Sequence, residues 1–513
     1  MNIMMLLEMA TSGMPDRVAF TCYKEDANSE NGSSCEHLTY QQLFNAAGAA
    51  AQQIKNSHCT RTAVIDIASL ALPIALFGSG WAGIPYVPIN YRLTEDEISA
   101  LLARVKPAYL ITDAARAKKT ASSGNKDGIT IAERQSFIQQ HKNAVTPTEC
   151  EWSVDAEATA VLLFTSGTTG TPKAAVLRHK HLVSYILGSV EFCSAAEDDA
   201  TLVCVPPYHV AGIAAMLSSV YAGRRLVQLP NFSAESWLDI ARREKVSNAF
   251  VVPTMLARIV EALEGKKSAE LPHLKAISYG GGKMPLSVIE RAMTLFPDTD
   301  FTNAYGLTET SSTIAVLTPD DHRAAVASRD EKVRRRLVSV GRALPGVTIE
   351  IRNDDGIVMG SHQRGEIYVK GEQVSGEYED RGSVIDKQGW FPTRDAGSMD
   401  EEGYLFLEGR ADDVIVRGAE NMSPGEIEDV LLEHDAVSDV AVVGIPDEQW
   451  GEAVAAAVVL KKGKQASVEE LQNWVKTKLR SSRVPQLIHF RDALPYNETG
   501  KLLRRVVKAE LAL

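Results

Sequence analysis

Apolar and polar positions along this chain follow two rhythms. Over the first two-thirds, short apolar runs alternate with stretches whose apolar residues recur at helical spacing. Residues 62–67 read as a buried strand and 72–77 as the helix after it, and 108–112 reads as another strand. The runs at 201–205, 225–229, 249–252 and 274–278 lead into helical patterns at 214–220, 235–244, 255–264 and 285–295. Strands alternating with helices predict parallel sheets covered on both faces. After about residue 340 the rhythm changes: 347–351, 365–369 and 404–407 alternate with turns alone, which predicts a small antiparallel region. Beyond Arg410 comes a compact mixed unit, with helices at 424–432 and 468–480 and strands at 437–443 and 453–460. The expected fold class is therefore α/β: a large N-terminal domain of parallel sheets flanked by helices, a small antiparallel β region, and a small α+β C-terminal domain.

Two features refine this pattern. No charge interrupts the chain between Asp66 and Arg92, which is long enough for a membrane span. Pro73, Pro85 and Pro88 with Gly78, Gly80 and Gly83 break it up, so a helix ending near Gly80 and a buried strand at 84–89 fit better. Residues 26–35 and 121–127 are polar and rich in Gly and Ser, and disorder is expected there.

Composition adds limits more than identity. The 513 residues, 45% apolar and 23% charged, are ordinary for globular proteins, and the length allows roughly two to four domains. A net charge of −12 disfavours wrapping nucleic acid or lying on an anionic membrane. Cys22, Cys35, Cys59, Cys150, Cys193 and Cys204 form no CxxC pair, so no zinc or thioredoxin-like motif is signalled, and reduced thiols in a cytoplasmic protein are expected. The first ten residues lack a basic region and carry Glu8, unlike a signal peptide, and the last four match no lipidation signal.

The sharpest chemical signal follows the apolar run 160–163. Thr165, Ser166, Gly167, Thr168, Thr169, Gly170, Thr171, Pro172 and Lys173 put five hydroxyls, two glycines and one lysine into nine residues. Close-approaching amides, hydroxyls and a cation suit a polyphosphate, although the Walker A spacing is absent and a polar turn remains open on this segment alone. Next comes Asn303, Ala304, Tyr305, Gly306, Leu307, Thr308, Glu309 and Thr310. A glutamate among hydroxyls can hold Mg²⁺ through oxygen, and it can equally begin a helix. Asp395, Arg410 and Lys501 each follow turn-rich segments that in isolation read as surface loops.

In this order, from Leu38 to Lys501, the segments resemble the acyl-adenylate-forming superfamily: acyl-CoA synthetases, peptide-synthetase adenylation domains and luciferases. Residues 418–428 are similar to the acyl-CoA synthetase loop beside the thiol tunnel, with Gly418, Ala419 and Glu420 leading it. The resemblance implies ATP, Mg²⁺ and coenzyme A as cofactor and substrates. It implies that residues 165–173 embrace the β- and γ-phosphates, and that Gly280, Gly281, Gly282, Asn303, Ala304, Tyr305 and Gly306 enclose adenine. Thr308 would contact the α-phosphate, Glu309 would hold Mg²⁺, and Asp395 with Arg410 would bind ribose. Lys501 would bridge the acyl carboxylate and the α-phosphate. Asp412 matches the hinge, which divides the chain into an AMP- and acid-binding domain at 1–411 and a mobile cap at 412–513. Three positions depart from the family's usual glycines: Ala174, Ala304 and Arg394.

For the acid, the stretch 206–212 lacks the aspartate that peptide-synthetase domains use for an ammonium group. His209 resembles the pocket aromatic of acyl- and aryl-CoA synthetases, with a packed core histidine as the other reading. Val252, Thr254, Tyr279, Gly281, Gly282 and Leu307 would complete an uncharged pocket, and Lys283 would point to solvent, with a partner for the second carboxylate of a dicarboxylic substrate as the other reading. The expected activity is an ATP-dependent acid–CoA ligase acting through acyl-AMP on a medium-chain, cyclic or aromatic acid, within fatty acid metabolism. Two alternatives stand beside it: adenylation with a carrier protein, an amine or dioxygen as acceptor, or a catalytically silent nucleotide-binding regulator. The expected partners are small molecules and, for the oligomer, a second copy in a homodimer.

Overall fold

The computed structural model describes residues 1–23, 35–122, 127–145, 151–165, 172–410, 413–417, 420–447, 449–497 and 502–512. It divides into two compact units: Met1–Leu337 with Ala343–Thr348 and Lys370–Phe391, and Val338–Arg342 with Ile349–Val369 and Pro392–Leu513.

The first unit holds two large sheets. One runs in the order Ser312–Leu317, Asp300–Leu307, Ala276–Gly280, Asn248–Val251, Ala200–Val203, Arg225–Gln228, Val18–Tyr23 and Cys35–Thr39. Its central neighbours pair in parallel. The other runs Glu377–Tyr378, Lys173–Arg178, Thr159–Thr165, Tyr86–Pro88, Arg61–Ile65, Ala108–Thr112 and Ile129–Glu133. The alternating strand–helix pattern therefore produces the expected parallel sheets. The strand expected at 274–278 lies at Ala276–Gly280, because its register with Asp300–Leu307 runs through Gly280 opposite Ala304.

The uncharged stretch after Asp66 is buried within this unit. It forms the helix Ala71–Ala82, apolar around its whole circumference and stopped by Gly83 at φ 72°. A helix of that kind belongs in a core. It packs on Tyr40–Asn56, whose start is fixed by a capping box between Thr39 and Gln42. Gly78 makes the approach close, since a Cβ there would sit 3.2 Å from the Ala47 carbonyl. Among the described residues no helix is long and apolar enough to cross a membrane.

The second unit contains the antiparallel sheet Thr348–Arg352, Gly365–Lys370, Phe391–Met399 and Leu405–Arg410. It also contains the α+β region, where Val437–Asp447 pairs antiparallel with Gly451–Leu460 under the helices Pro424–Leu432 and Val468–Lys478. Of the stretches expected to be disordered, 26–34 and 123–126 lie outside the described residues. Cys35 begins a strand and Ser122 ends a helix, so ordered structure reaches into both ends of the polar runs.

Candidate active site

Three strand ends of the first unit line up in register. Val251 pairs with Tyr279, and Tyr279 with Asn303. One strand further, Phe250 pairs with Val203. The carboxyl ends of parallel strands are where open α/β sheets bind ligands, because loops and helix starts gather there. This alignment brings Val252, the Gly280–Gly282 turn and residues 303–307 to one rim, with His209 on the chain just beyond Ala200–Val203.

The rim is tight enough to dictate its glycines. A Cβ at Gly280 would lie 2.2 Å from the Ala304 carbonyl oxygen, and one at Gly306 would lie 1.8 Å from that of Ser312. Neither backbone can retreat without breaking a strand pair, so only glycine fits. Gly281 sits over Val252, whose Cγ1 would be 3.8 Å from an added Cβ. Thr254 and Leu307 are half-buried nearby in sequence, while Gly281, Gly282 and Lys283 are exposed. Tyr279 differs from expectation. Its side chain is fully buried, and its hydroxyl lies 2.8 Å from His322 Nε2, so it braces the strand and does not face the open rim.

His209 stands at the N-terminal boundary of the helix Val210–Ala222 without a side-chain bond to it and lies half-buried, its ring 4.7 Å from that of Tyr208. Burial pushes its pKa down to about 4, with the Arg92 charge adding to the effect. The imidazole is therefore neutral at ordinary pH, an uncharged aromatic beside an uncharged rim.

The acidic turn Thr308–Thr310 is braced from several sides. Thr310 Oγ1 accepts from the Leu307 amide at 2.9 Å and donates to the Ser312 carbonyl at 2.8 Å. Ser311 and Ser312 hold left-handed φ values of 56° and 116°, a strained exit that clusters at functional sites. A second segment, 373–378, wraps the same turn. The amides of Ser375 and Gly376 donate to the Glu309 carbonyl at 2.8 and 3.2 Å, and Gln373 Nε2 donates to the Thr310 and Thr313 carbonyls at 3.0 and 2.7 Å. Tyr378 donates its hydroxyl to Glu309 Oε1 at 2.6 Å. The buried hydroxyls of Ser311 and Ser375 have no protein partner.

At the loop after Thr159–Thr165, Thr165 pairs with Lys173 across the hairpin, and its hydroxyl donates to the Lys173 carbonyl at 3.4 Å. Lys173 Nζ lies 5.6 Å from the centre of the Tyr378 ring. One tyrosine thus joins the lysine that ends the hydroxyl-rich loop to the carboxylate of the acidic turn.

Within the second unit, Asp395 and Arg410 are cross-strand partners. Arg410 Nη1 donates to Asp395 Oδ1 at 2.7 Å and to the Thr393 carbonyl at 3.3 Å. Thr393 is buried, donates to the Ile367 carbonyl at 2.8 Å and accepts the Asp395 amide at 3.1 Å. The carboxylate is thereby fixed on a rigid hairpin.

Residues 7–379 match the family described as AMP-binding enzyme, and residues 426–501 match the AMP-binding enzyme C-terminal domain. The chain belongs to the AMP-binding enzyme family. It is 32% identical over 479 residues to a 2-succinylbenzoate–CoA ligase of Bacillus subtilis, covering 92% of this chain and 93% of that protein. It is 30% identical over 483 residues to a fatty acid–[acyl-carrier-protein] ligase of Streptomyces coeruleorubidus, covering 92% of this chain and 91% of that protein. It also superposes with a TM-score of 0.82 on the o-succinylbenzoate CoA synthetase of Bacillus subtilis, solved in complex with its acyl-adenylate intermediate. That match is 28% identical and covers 98% of this chain and 97% of the other.

This AMP-binding enzyme departs from the usual glycines without losing geometry. Ala174 is buried opposite Phe164 in a regular strand pair, and Ala304 keeps its register opposite Gly280. Arg394 holds φ 62°, the left-handed conformation that makes glycine common there. Its side chain is exposed, with Glu366 Oε1 at 3.8 Å from Nε. Ser166, Gly167, Thr168, Thr169, Gly170, Asp412, Gly418, Ala419 and Lys501 lie outside the described residues. Glu420 begins a short strand paired with Ile415–Arg417. Sequence reasoning missed Gln373, Ser375, Gly376 and Tyr378. Tyr378 meets Glu309 across 69 residues, and no local pattern marks that pairing.

Proposed function

We propose that this AMP-binding enzyme is an ATP-dependent carboxylic acid–CoA ligase that works through an acyl-AMP intermediate and releases pyrophosphate. Likeness to acid–CoA ligases along more than nine-tenths of the chain carries the reading. In the first half-reaction an acid oxygen attacks the α-phosphorus of ATP, and the bond to pyrophosphate breaks. In the second, the CoA thiol attacks the acyl carbon and AMP leaves.

Both partners of the first step are anionic, so the site must neutralise charge and hold the reacting atoms in line. We assign Lys173 and residues 165–170 to the departing phosphates, the Gly280–Gly282 turn and residues 303–306 to adenine, Thr308 to the α-phosphate, and Asp395 with Arg410 to ribose. Glu309 fits a hard divalent cation: it is an oxygen ligand whose carboxylate is oriented by a neutral phenol rather than by a cation. Among the described residues no cluster of three or more His, Cys, Asp or Glu forms a closed metal cage. Mg²⁺ arriving with phosphates suits such a sparse protein shell, and when bound it would offset charge on the departing pyrophosphate.

The neutral His209 and the uncharged rim of Val252, Thr254, Gly281, Gly282 and Leu307 favour an acid with an apolar body, medium-chain, cyclic or aromatic. Lys501, swung in and out about a hinge near Asp412, would serve adenylation alone. The reading places the enzyme in the cytoplasm as a homodimer. One relative is a fatty acid–[acyl-carrier-protein] ligase, so a carrier-protein thiol is the second acceptor to test.

The test is purified enzyme with ATP, a panel of acids and either CoA or a carrier protein, with AMP and thioester both measured. CoA thioester formed in step with AMP is the expected result. AMP release without CoA thioester would refute the CoA assignment. In the same assay Lys501→Ala should lower adenylation by about 10²–10³-fold, as for loss of one transition-state donor, while thioester formation from supplied acyl-AMP persists.

A further inference from the structure

We propose that Tyr378 is a positioning residue for the cation-binding carboxylate. Its hydroxyl fixes one oxygen of Glu309 so that the other stays aimed at the divalent cation that accompanies ATP. The inference rests on the assignment of Glu309 to that cation, and it adds a residue that neither the motifs nor the chain's own pattern single out.

Four observations converge on it. The Tyr378 hydroxyl is 2.6 Å from Glu309 Oε1, a short bond from a neutral donor to a carboxylate. The backbone leading to the tyrosine is locked to the same turn, since the amides of Ser375 and Gly376 donate to the Glu309 carbonyl at 2.8 and 3.2 Å. Tyr378 also pairs with Ala175 on the strand that begins at Lys173, which fixes its backbone on the side of that lysine. On that side Lys173 Nζ lies 5.6 Å from the ring centre.

The chemistry of the donor explains why a tyrosine belongs here. A free glutamate carboxylate rotates about its last torsion, which is broad and nearly two-fold. A hydrogen bond to one oxygen removes that freedom before the cation arrives. A cationic donor would do so too, but it would cancel the charge that attracts the metal. A phenol orients the carboxylate and leaves its charge in place. Groups that hold a metal ligand in this way typically account for about 10–100-fold in metal affinity.

The experiment uses the full-length chain, with Mn²⁺ as a paramagnetic stand-in titrated in the presence of ATP and followed by electron paramagnetic resonance. ATP binding without metal is measured in parallel in chelator. Tyr378→Phe keeps the ring over Lys173 and removes only the hydroxyl. It should weaken Mn²⁺ uptake by about 10–100-fold, with metal-free ATP affinity and melting temperature unchanged. Glu309→Gln, the control, should weaken uptake at least as much. If Glu309→Gln loses the metal and Tyr378→Phe binds it like the parent, the positioning role is wrong and the assignment of Glu309 stands. Equal loss of metal-free ATP binding in Tyr378→Phe would mean a merely structural tyrosine and would also overturn the role. If Glu309→Gln itself binds Mn²⁺ like the parent, the cation assignment fails and takes the inference with it.

Discussion

Two carboxylates in this molecule are held by hydrogen bonds of nearly equal length and opposite electrical consequence. Glu309, in the first unit, takes a 2.6 Å bond from a neutral phenol. Asp395, in the second, takes a 2.7 Å bond from the guanidinium of Arg410. The phenol orients without neutralising, so Glu309 keeps its full charge for a cation. The guanidinium orients and neutralises, so Asp395 offers lone pairs with little net attraction for metal, which suits sugar hydroxyls. Similar geometry thus suits two kinds of site, and on the proposed assignment the partner's charge decides which.

The largest effect that separates them is metal dependence. Glu309→Gln should raise the Mg²⁺ concentration needed for half-maximal pyrophosphate exchange by at least the roughly 10–100-fold that loss of a partner orienting the ligand costs. Asp395→Asn should leave that concentration unchanged while weakening ATP binding. If both substitutions shifted the Mg²⁺ requirement alike, the distinction drawn from their partners would collapse.

A smaller effect sharpens the other half of the comparison. A hydrogen bond to a charged group contributes about 1.5–3 kcal/mol. Asp395→Ala should therefore erase most of the preference for ATP over its 2′- and 3′-deoxy analogues, read as a ratio of kcat/KM values. The Arg410 guanidinium is left without its carboxylate there, but its 31% side-chain exposure lets water replace the lost partner. Glu309→Gln should keep the parental ratio for the same analogues.

Much of this arrangement is legible in the sequence, and what is not shares a cause. Helices such as Pro424–Leu432 announce themselves through local periodicity and a proline at the start, and the structure places that one as read. The roles proposed for Asp395 and Glu309 come from contiguous motifs. That of Tyr378 does not, because its meaning lies in a partner 69 residues away. Tyr279 misleads for a related reason: it stands beside the Gly280–Gly282 turn in sequence, but strand alternation turns its side chain to His322. The register shift at Ala276–Gly280 belongs here too, since Gly280 extends the strand only because Ala304 lies opposite it. Local patterns fix where an element lies, and long-range partners fix which way its side chains work.

The smallest predicted effect concerns the residue beside Asp395. Arg394 adopts φ 62°, where an L side chain costs roughly 1–2 kcal/mol. Its side chain returns little, being 60% exposed with Glu366 only at 3.8 Å. Its amide, by contrast, donates to Glu366 Oε1 at 3.1 Å, a bond that glycine would keep. Glycine has a freer unfolded chain, which costs back roughly 0.5–1 kcal/mol. Arg394→Gly should therefore stabilise the protein by about 0.5–1 kcal/mol in urea unfolding, with ATP affinity unchanged. A fall in ATP affinity would mean that the arginine reaches a phosphate. The strain at φ 62° would then be retained for binding, and the hairpin of the second unit would carry a cation for ATP in addition to the one that Asp395 neutralises.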